Sequence, residues 1–334
     1  MTGIIATLGP KSANKEMILQ LHQAGVIIFR LNFAHETIQS GMKVMTMIRN
    51  REKEIGQKIH VLIDVEGPGI RTGILTTPIA YTTGEQFKIF TKEDISGKKS
   101  LYCDYPSLPD DVHIGGIVKI DAGLFKVKVL GKGPNFISVQ ALNDFTVGSR
   151  RHINLPGVHV KLPSFTDKDK QDVLFAIQQK LNYVALSFVR SPADVRELRA
   201  FLDLHGGKKI RIVAKIENEE GLKNISAIAK ESDIIMVARG DLGTELPVEN
   251  IPVYQMEIIN AAKLQNKKVI VATEMLESMM HSLSPKRADI SDIFFAVMQG
   301  ADYVMLSGET AVGEYPVECV KMMKKVIESA EKYI

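Results

Sequence analysis

The sequence predicts an α/β protein: a TIM (β/α)8 barrel with a small antiparallel β-barrel domain inserted after the third strand. Three observations predict it: eight short β-branched runs, longer amphipathic stretches between them, and one gap of about a hundred residues where a helix is due. The runs are GIIATLG at 3–9, VIIFRLNF at 26–33, HVLIDVEG at 60–67, YVALSFV at 183–189, RIVAKIE at 211–217, DIIMVARGD at 233–241, KVIVATEM at 268–275 and DYVMLSGE at 302–309. Patterns such as NKEMILQLHQAG, ADVRELRAFLDLHG and VYQMEIINAAKLQN separate them, several ending near Gly or Asn as helix C-termini do. Eight parallel strands with outer helices close a barrel.

The gap follows the third strand, and its composition changes. Strand-like pieces QFKIF, GIVKIDAG, FKVKVLG and FISVQAL alternate with turn residues, which gives a β lid domain at 73–154 inside a barrel built from 1–72 and 155–334. The runs RHINLPG at 151–157 and GPGIRTG at 67–73 flank it as hinges and carry Arg151 and Arg71.

Composition narrows the class. Hydrophobic residues make up 45% and charged residues 24%, and 42 basic against 39 acidic residues leave a formal charge of +3, too balanced for a nucleic-acid or membrane-attracted surface. Two distant cysteines, Cys103 and Cys319, form neither a disulfide framework nor a thiolate zinc site, so a cytoplasmic protein is expected. No apolar run approaches the roughly twenty residues of a membrane span, and MTGIIATLGPKSANK has no basic leader.

A barrel places catalytic groups at the carboxyl ends of its strands. Polar residues gather at those ends: Arg30 and Asn32, Asp64, Lys215 and Glu217, Arg239 and Asp241, Thr273 and Glu274, Ser307 and Glu309. Arg30 and Asn32 share one strand face, as do Lys215 and Glu217, and burying such groups without partners would cost several kcal/mol each, roughly. A structural salt-bridge belt would also occur at the amino ends, which are poorer in polar residues. Glu217 and Asp241 suit a divalent ion such as Mg²⁺ completed by ligand oxygens, and Gly240 precedes Asp241 in a turn whose N–H groups can face an anion. GPKSANK and HGGKK lack Walker A spacing, ARGDLG lacks the dinucleotide glycines, and among scattered histidines only His35 adjoins the site.

Over essentially the whole chain these blocks resemble pyruvate kinase. RLNFAHE is similar to the family's RLNFSHG and DVEGPGIRTG to DTKGPEIRTG, and KIENEEG, IMVARGDLGTELP, VIVATEMLESMM and VMLSGETAVGEYP resemble its later barrel blocks. The resemblance implies glycolytic transfer of phosphoryl from phosphoenolpyruvate to ADP, giving pyruvate and ATP. It implies that Glu217 and Asp241 hold Mg²⁺ or Mn²⁺, that Lys215 stabilises charge on the transferring phosphoryl and enolate oxygen, and that Arg30 grips the phosphate. Gly240, Asp241 and Thr273 would hold the substrate carboxylate, Thr273 lying near the carbon to be protonated. Arg71, His35 and Arg151 would meet the nucleotide, Arg151 standing for the family's lysine.

Departures accompany the matches. The implied K⁺ site keeps Asn32, Asp64 and the Val65 carbonyl but has Ala34 for serine, so weak or absent K⁺ stimulation is expected. Glu66 replaces lysine, Gly69 glutamate, Ala122 aspartate, Glu274 glutamine and Lys286 threonine. The chain stops at the eighth helix, so the resemblance implies no C-terminal regulatory domain and no effector site; a homo-oligomer would form through the barrel. Two other functions fit the residues: metal-dependent enolate chemistry on a 2-oxo acid, as in a decarboxylase or lyase, and a weakened paralogue that binds nucleotide without turnover.

Overall fold

The computed structural model describes residues 1–92 and 99–334. They divide into two compact units, one of Met1–Gly67, Ser164–Arg239 and Asn250–Ile334, the other of Pro68–Pro163 and Gly240–Glu249.

The first unit contains a closed eight-stranded barrel. Its strands are β1 Gly3–Leu8, β2 Val26–Asn32, β3 His60–Asp64, β4 Tyr183–Leu186, β5 Arg211–Ile216, β6 Ile234–Ala238, β7 Lys268–Ala272 and β8 Tyr303–Leu306. Each pairs in parallel with its sequence neighbours, and β1 pairs with β8 to close the ring. All eight predicted runs are strands. Their carboxyl ends stop one to three residues earlier than periodicity suggests, as at Ala238 rather than Asp241.

Physics at those ends explains the difference. Thr273 and Glu274 have φ of 69° and 53°, which breaks the extended backbone after β7, and Arg239–Glu245 is a short helix, so Gly240 and Asp241 sit in a helical turn rather than on the strand. Helices α1 Lys15–Ala24, α2 Ile38–Ile55 and α3 Asp167–Gln178 follow the first three strands. Each starts at a side-chain cap, from Asn14, Thr37 and Thr166 respectively.

Period-two alternation divides each strand between the barrel interior and the helix layer. The interior is filled by Ile5, Ile28, Leu62, Ala185, Val213, Ile270 and Met305 among others. Two residues beyond these on the same inward column stand Thr7, Arg30, Asp64, Ser187 and Lys215. One apolar layer therefore carries a polar one.

The second unit has its own core, in which Tyr81, Phe87, Phe125 and Phe145 stack at centroid separations of 4.0–6.1 Å. Its strands form a seven-stranded sheet, with a two-stranded sheet of Ile79–Tyr81 and Phe145–Val147. Where the sequence predicts a wholly antiparallel β barrel, the larger sheet is mixed: Gln86–Phe90 runs parallel to Leu101–Tyr102. The segment Gly240–Glu249 belongs to this unit. Lys119 Nζ donates to the Thr244 carbonyl, and Asn154 Nδ2 donates to Glu245 Oε1 at 2.8 Å. Burial raises the Glu245 carboxyl above the usual range, with Asn154 and Lys119 pulling the other way.

In the short helix Glu219–Lys223, just after β5, a Cβ on Gly221 would lie 2.4 Å from the Val189 carbonyl oxygen, a backbone atom that cannot step aside. Gly221→Ala should therefore lower stability by about 1–3 kcal/mol, read as a shifted urea midpoint with unchanged slope.

Candidate active site

Five side chains of the polar layer meet at the barrel mouth. Arg30 on β2 donates from Nε to Asp64 Oδ2 at 2.8 Å and from Nη1 to Thr7 Oγ1 at 3.0 Å. Lys215 on β5 reaches Asp64 Oδ1 at 3.1 Å, Glu217 Oε1 at 2.9 Å and Ser187 Oγ at 2.8 Å. Ser187 Oγ donates to the Val65 carbonyl at 2.7 Å, and Glu217 Oε2 accepts from the Phe188 N–H at 2.6 Å. Phe188 holds φ of 53°, an unusual conformation for a large residue, and so turns its N–H toward that carboxylate.

All of these charges are buried: Asp64 is 1% exposed, Glu217 0%, Lys215 8% and Arg30 9%. Two cations face two carboxylates, so the cluster is formally neutral. Burial alone would raise the Asp64 carboxyl, but the charges of Lys215 and Arg30 and their hydrogen bonds together hold it below its usual 3.8.

The structure thus brings together Arg30, Asp64, Lys215 and Glu217, with the Val65 carbonyl linked through Ser187. Asn32 pairs in register with Asp64 across β2 and β3, and its Oδ1 accepts from the Ala34 N–H at 3.3 Å. His35 is exposed in the turn beyond β2. Thr273 donates from Oγ1 to the Ala272 carbonyl at 2.6 Å, and Arg239 donates to the Thr273 carbonyl. In the second unit, Thr72 and Arg151 exchange hydrogen bonds of 2.8 and 2.7 Å, and Arg71 donates to the Arg150 carbonyl at 3.3 Å, so the two predicted hinge arginines share one sheet region. Arg151 also faces Asp121 at 3.5 Å.

Sequence reasoning missed Thr7 and Ser187. Their signal is register: each lies two residues beyond an inward core residue, at the same depth as Arg30 and Lys215.

A family model described as the barrel domain of pyruvate kinase matches residues 1–320. The chain belongs to the pyruvate kinase family. A pyruvate kinase of Geobacillus stearothermophilus is 40% identical over 334 residues, covering 99% of this chain and 57% of that protein. One from Clostridium perfringens is 37% identical over 332 residues, covering 99% and 70%. The crystal structure of a pyruvate kinase from Cryptosporidium parvum superposes with a TM-score of 0.95 at 41% identity, covering all of this chain and 70% of that one. The chain thus spans 57% of the length of the first of these relatives.

For a pyruvate kinase barrel, the donor set suits a hard divalent ion completed from outside. Glu217 offers one buried carboxylate, with Oε1 facing Lys215 and Oε2 accepting the Phe188 N–H, and among the described residues no group of three or more His, Cys, Asp or Glu side chains is placed to hold a metal ion. Magnesium characteristically takes one or two carboxylates and leaves its other positions to water and substrate oxygens. The donors for a monovalent cation fit less well. Ala34 brings no side-chain oxygen, the Val65 carbonyl accepts from Ser187, and both Asp64 oxygens face cations.

Removing the Asp64 charge leaves two buried cations short of a partner, so Asp64→Asn should cost about 3–5 kcal/mol in urea unfolding at neutral pH. The sign of its pH dependence follows from the lowered carboxyl. The stabilisation is complete above 3.8, the usual carboxyl value, and is lost as pH falls through the lower folded value. Asp64→Asn should accordingly lose less stability than the parent chain as pH is taken down to about 3.

Proposed function

We propose that this chain transfers the phosphoryl group of phosphoenolpyruvate to ADP, yielding pyruvate and ATP. The observation that carries the proposal is the pair of buried cations, Arg30 and Lys215, held in place by Asp64 and Glu217 at the barrel mouth. In phosphoryl transfer the bond from phosphorus to the enol oxygen breaks while a bond to an ADP phosphate oxygen forms, and charge spreads over the equatorial oxygens. Fixed positive charge lowers that barrier without reorganising at the moment of reaction.

Arg30 is assigned to the phosphate, and Lys215 to the phosphate and the enolate oxygen left behind. Glu217 and, by family resemblance, Asp241 are the carboxylates assigned to Mg²⁺ or Mn²⁺. Such an ion supplies further neutralisation of the phosphate oxygens. Gly240, Asp241 and Thr273 are assigned to the substrate carboxylate. The enolate must then take a proton at carbon, and a threonine hydroxyl is a poor acid, so Thr273 is assigned a place in a water relay. Arg71, Arg151 and His35 are assigned to the nucleotide.

A cytoplasmic setting agrees with two buried thiols, Cys103 and Cys319, both pushed by burial up to about 12. Association through the barrel agrees with the exposed apolar residues Val253, Met256, Phe295 and Met298 on the outer helices Ile251–Leu264 and Arg287–Met298. Among the described residues, no helix is long and apolar enough to cross a membrane.

The test is a single mixture of protein, Mg²⁺, phosphoenolpyruvate and ADP in which ATP and pyruvate are followed together. Equal yields of both are expected, with activity abolished by chelation of the metal. Lys215→Met should lower kcat by about 10²–10³ while the chain stays folded by circular dichroism. Absence of turnover overturns the proposal. Pyruvate formed from oxaloacetate without ATP would assign the site to 2-oxo acid chemistry, and thermal stabilisation by nucleotide without turnover would assign it to binding alone.

Ala34 and the engaged donors around it lead to a second expectation, that rates in K⁺ and in Na⁺ are alike. Saturable activation by K⁺ over Na⁺ would show instead that water supplies the missing oxygen.

A further inference from the structure

One side chain outside the charged cluster gathers the exits of two barrel strands. Lys168, in the first turn of α3, donates from Nζ to the Phe33 carbonyl at 2.7 Å, and lies 3.0 Å from Asp172 Oδ2 and 3.5 Å from Glu66 Oε2. Its three oxygen partners come from the turn after β2, the loop after β3 and α3 itself. Asp172 is 4% exposed and the Glu66 side chain 18%, so this ammonium is held from a largely buried side.

The surrounding contacts make the grip specific. Phe33 is fully buried, and its ring packs on Phe175 of α3 at 5.2 Å. The next residue of α3, Asp169, closes a capping box with Thr166 and accepts the Gly67 N–H on Oδ1 at 3.1 Å. The first turn of α3 therefore fixes the β2 exit through Lys168 and the β3 exit through Asp169. The turn after β2 has two backbone bonds of its own, from the His35 and Glu36 N–H groups to the Asn32 carbonyl at 3.1 and 3.0 Å, while the Ala34 N–H reaches Asn32 Oδ1 only at 3.3 Å and the Ala34 methyl adds no hydrogen bond. The bond from Lys168 is the short, charge-assisted one.

We propose that Lys168 is a positioning residue: its ammonium, balanced by Glu66 and Asp172, fixes the Phe33 carbonyl and so aims the turn that carries Asn32 and His35. Glu66 has a defined part in this. A lysine there would set a second ammonium beside Lys168 and push it off the carbonyl. The kinetic consequence rests on the phosphotransferase function proposed above, whereas the structural consequence does not.

Both consequences are tested on the full chain with Lys168→Met, Lys168→Arg, Glu66→Lys and the milder Glu66→Gln. In amide hydrogen exchange followed by mass spectrometry, Lys168→Met and Glu66→Lys should each speed exchange in residues 34–36 by about tenfold, the order of one charge-assisted bond, with α3 and β5 unchanged. Lys168→Arg should restore most of the protection, and Glu66→Gln should fall between. In the phosphotransfer assay, the two disruptive variants should raise KM for ADP more than they lower kcat. Exchange needs no turnover, so that arm decides the proposal even if phosphoryl transfer fails. Unchanged exchange in 34–36, or a rise spread evenly through α3, would overturn it, because Lys168 would then be a stabilising helix residue only.

Discussion

The Asp64 carboxylate, shared between Arg30 and Lys215, is the contact on which the mouth of this barrel depends. Two cations on nearby strands would repel each other in a water-poor site, and neither could be buried alone at acceptable cost. With one carboxylate oxygen facing each cation, both stay charged and keep fixed directions. Glu217 completes the balance at Lys215 and is itself oriented by the Phe188 N–H. A neutral cluster of this kind stores positive charge without a large net field. On the proposed function, an arriving phosphate would replace part of the hold of Asp64 and Glu217 rather than meet bare cations, and its charge would be met by donors already aimed.

Strand geometry gives the cluster its precision. The side chains stand on the rigid inward columns of β1 to β5, directly beyond residues that fill the barrel, and a slip of one residue in any strand would send its polar group into the helix layer. Loops supply what must be re-aimed: the left-handed residues Phe188, Thr273 and Glu274 turn backbone groups that extended strands could not present. The division of labour is physical, with columns for charges that must not move and turns for backbone donors and carbonyls.

Much of this is legible in sequence because periodicity and charge coincide. Alternation in VIIFRLNF and RIVAKIE already sets Arg30, Lys215 and Glu217 on the inward face, and the eight runs fix the barrel. Strand ends are not legible, since Ala238 gives way to a helix and Ala272 to a left-handed turn only under tertiary constraint. Thr7 and Ser187 escape because short hydroxyls inside apolar runs carry no charge signal. Lys168 escapes for the opposite reason: in DKDKQD its charge is one of many and resembles a solvated helix face. The inclusion of Gly240–Glu249 in the β unit, through Lys119 and Asn154, depends on contacts between distant segments that no local pattern encodes.

The departures from the family pattern divide along the same physical line. By the resemblance, the Arg30, Asp64, Lys215 and Glu217 cluster keeps the family's groups, whereas Ala34 and Glu66 depart from its pattern at the strand exits behind it. Glu66 is a negative charge on a partly buried side chain, which is tolerable only where a cation can answer it. Lys168 stands 3.5 Å away and is already committed to the Phe33 carbonyl and Asp172. Ala34 brings no side-chain oxygen to the turn that Lys168 holds. Positions 34 and 66 therefore bear on one small framework, in which the turn after β2 is held from outside by an ammonium brought in by α3.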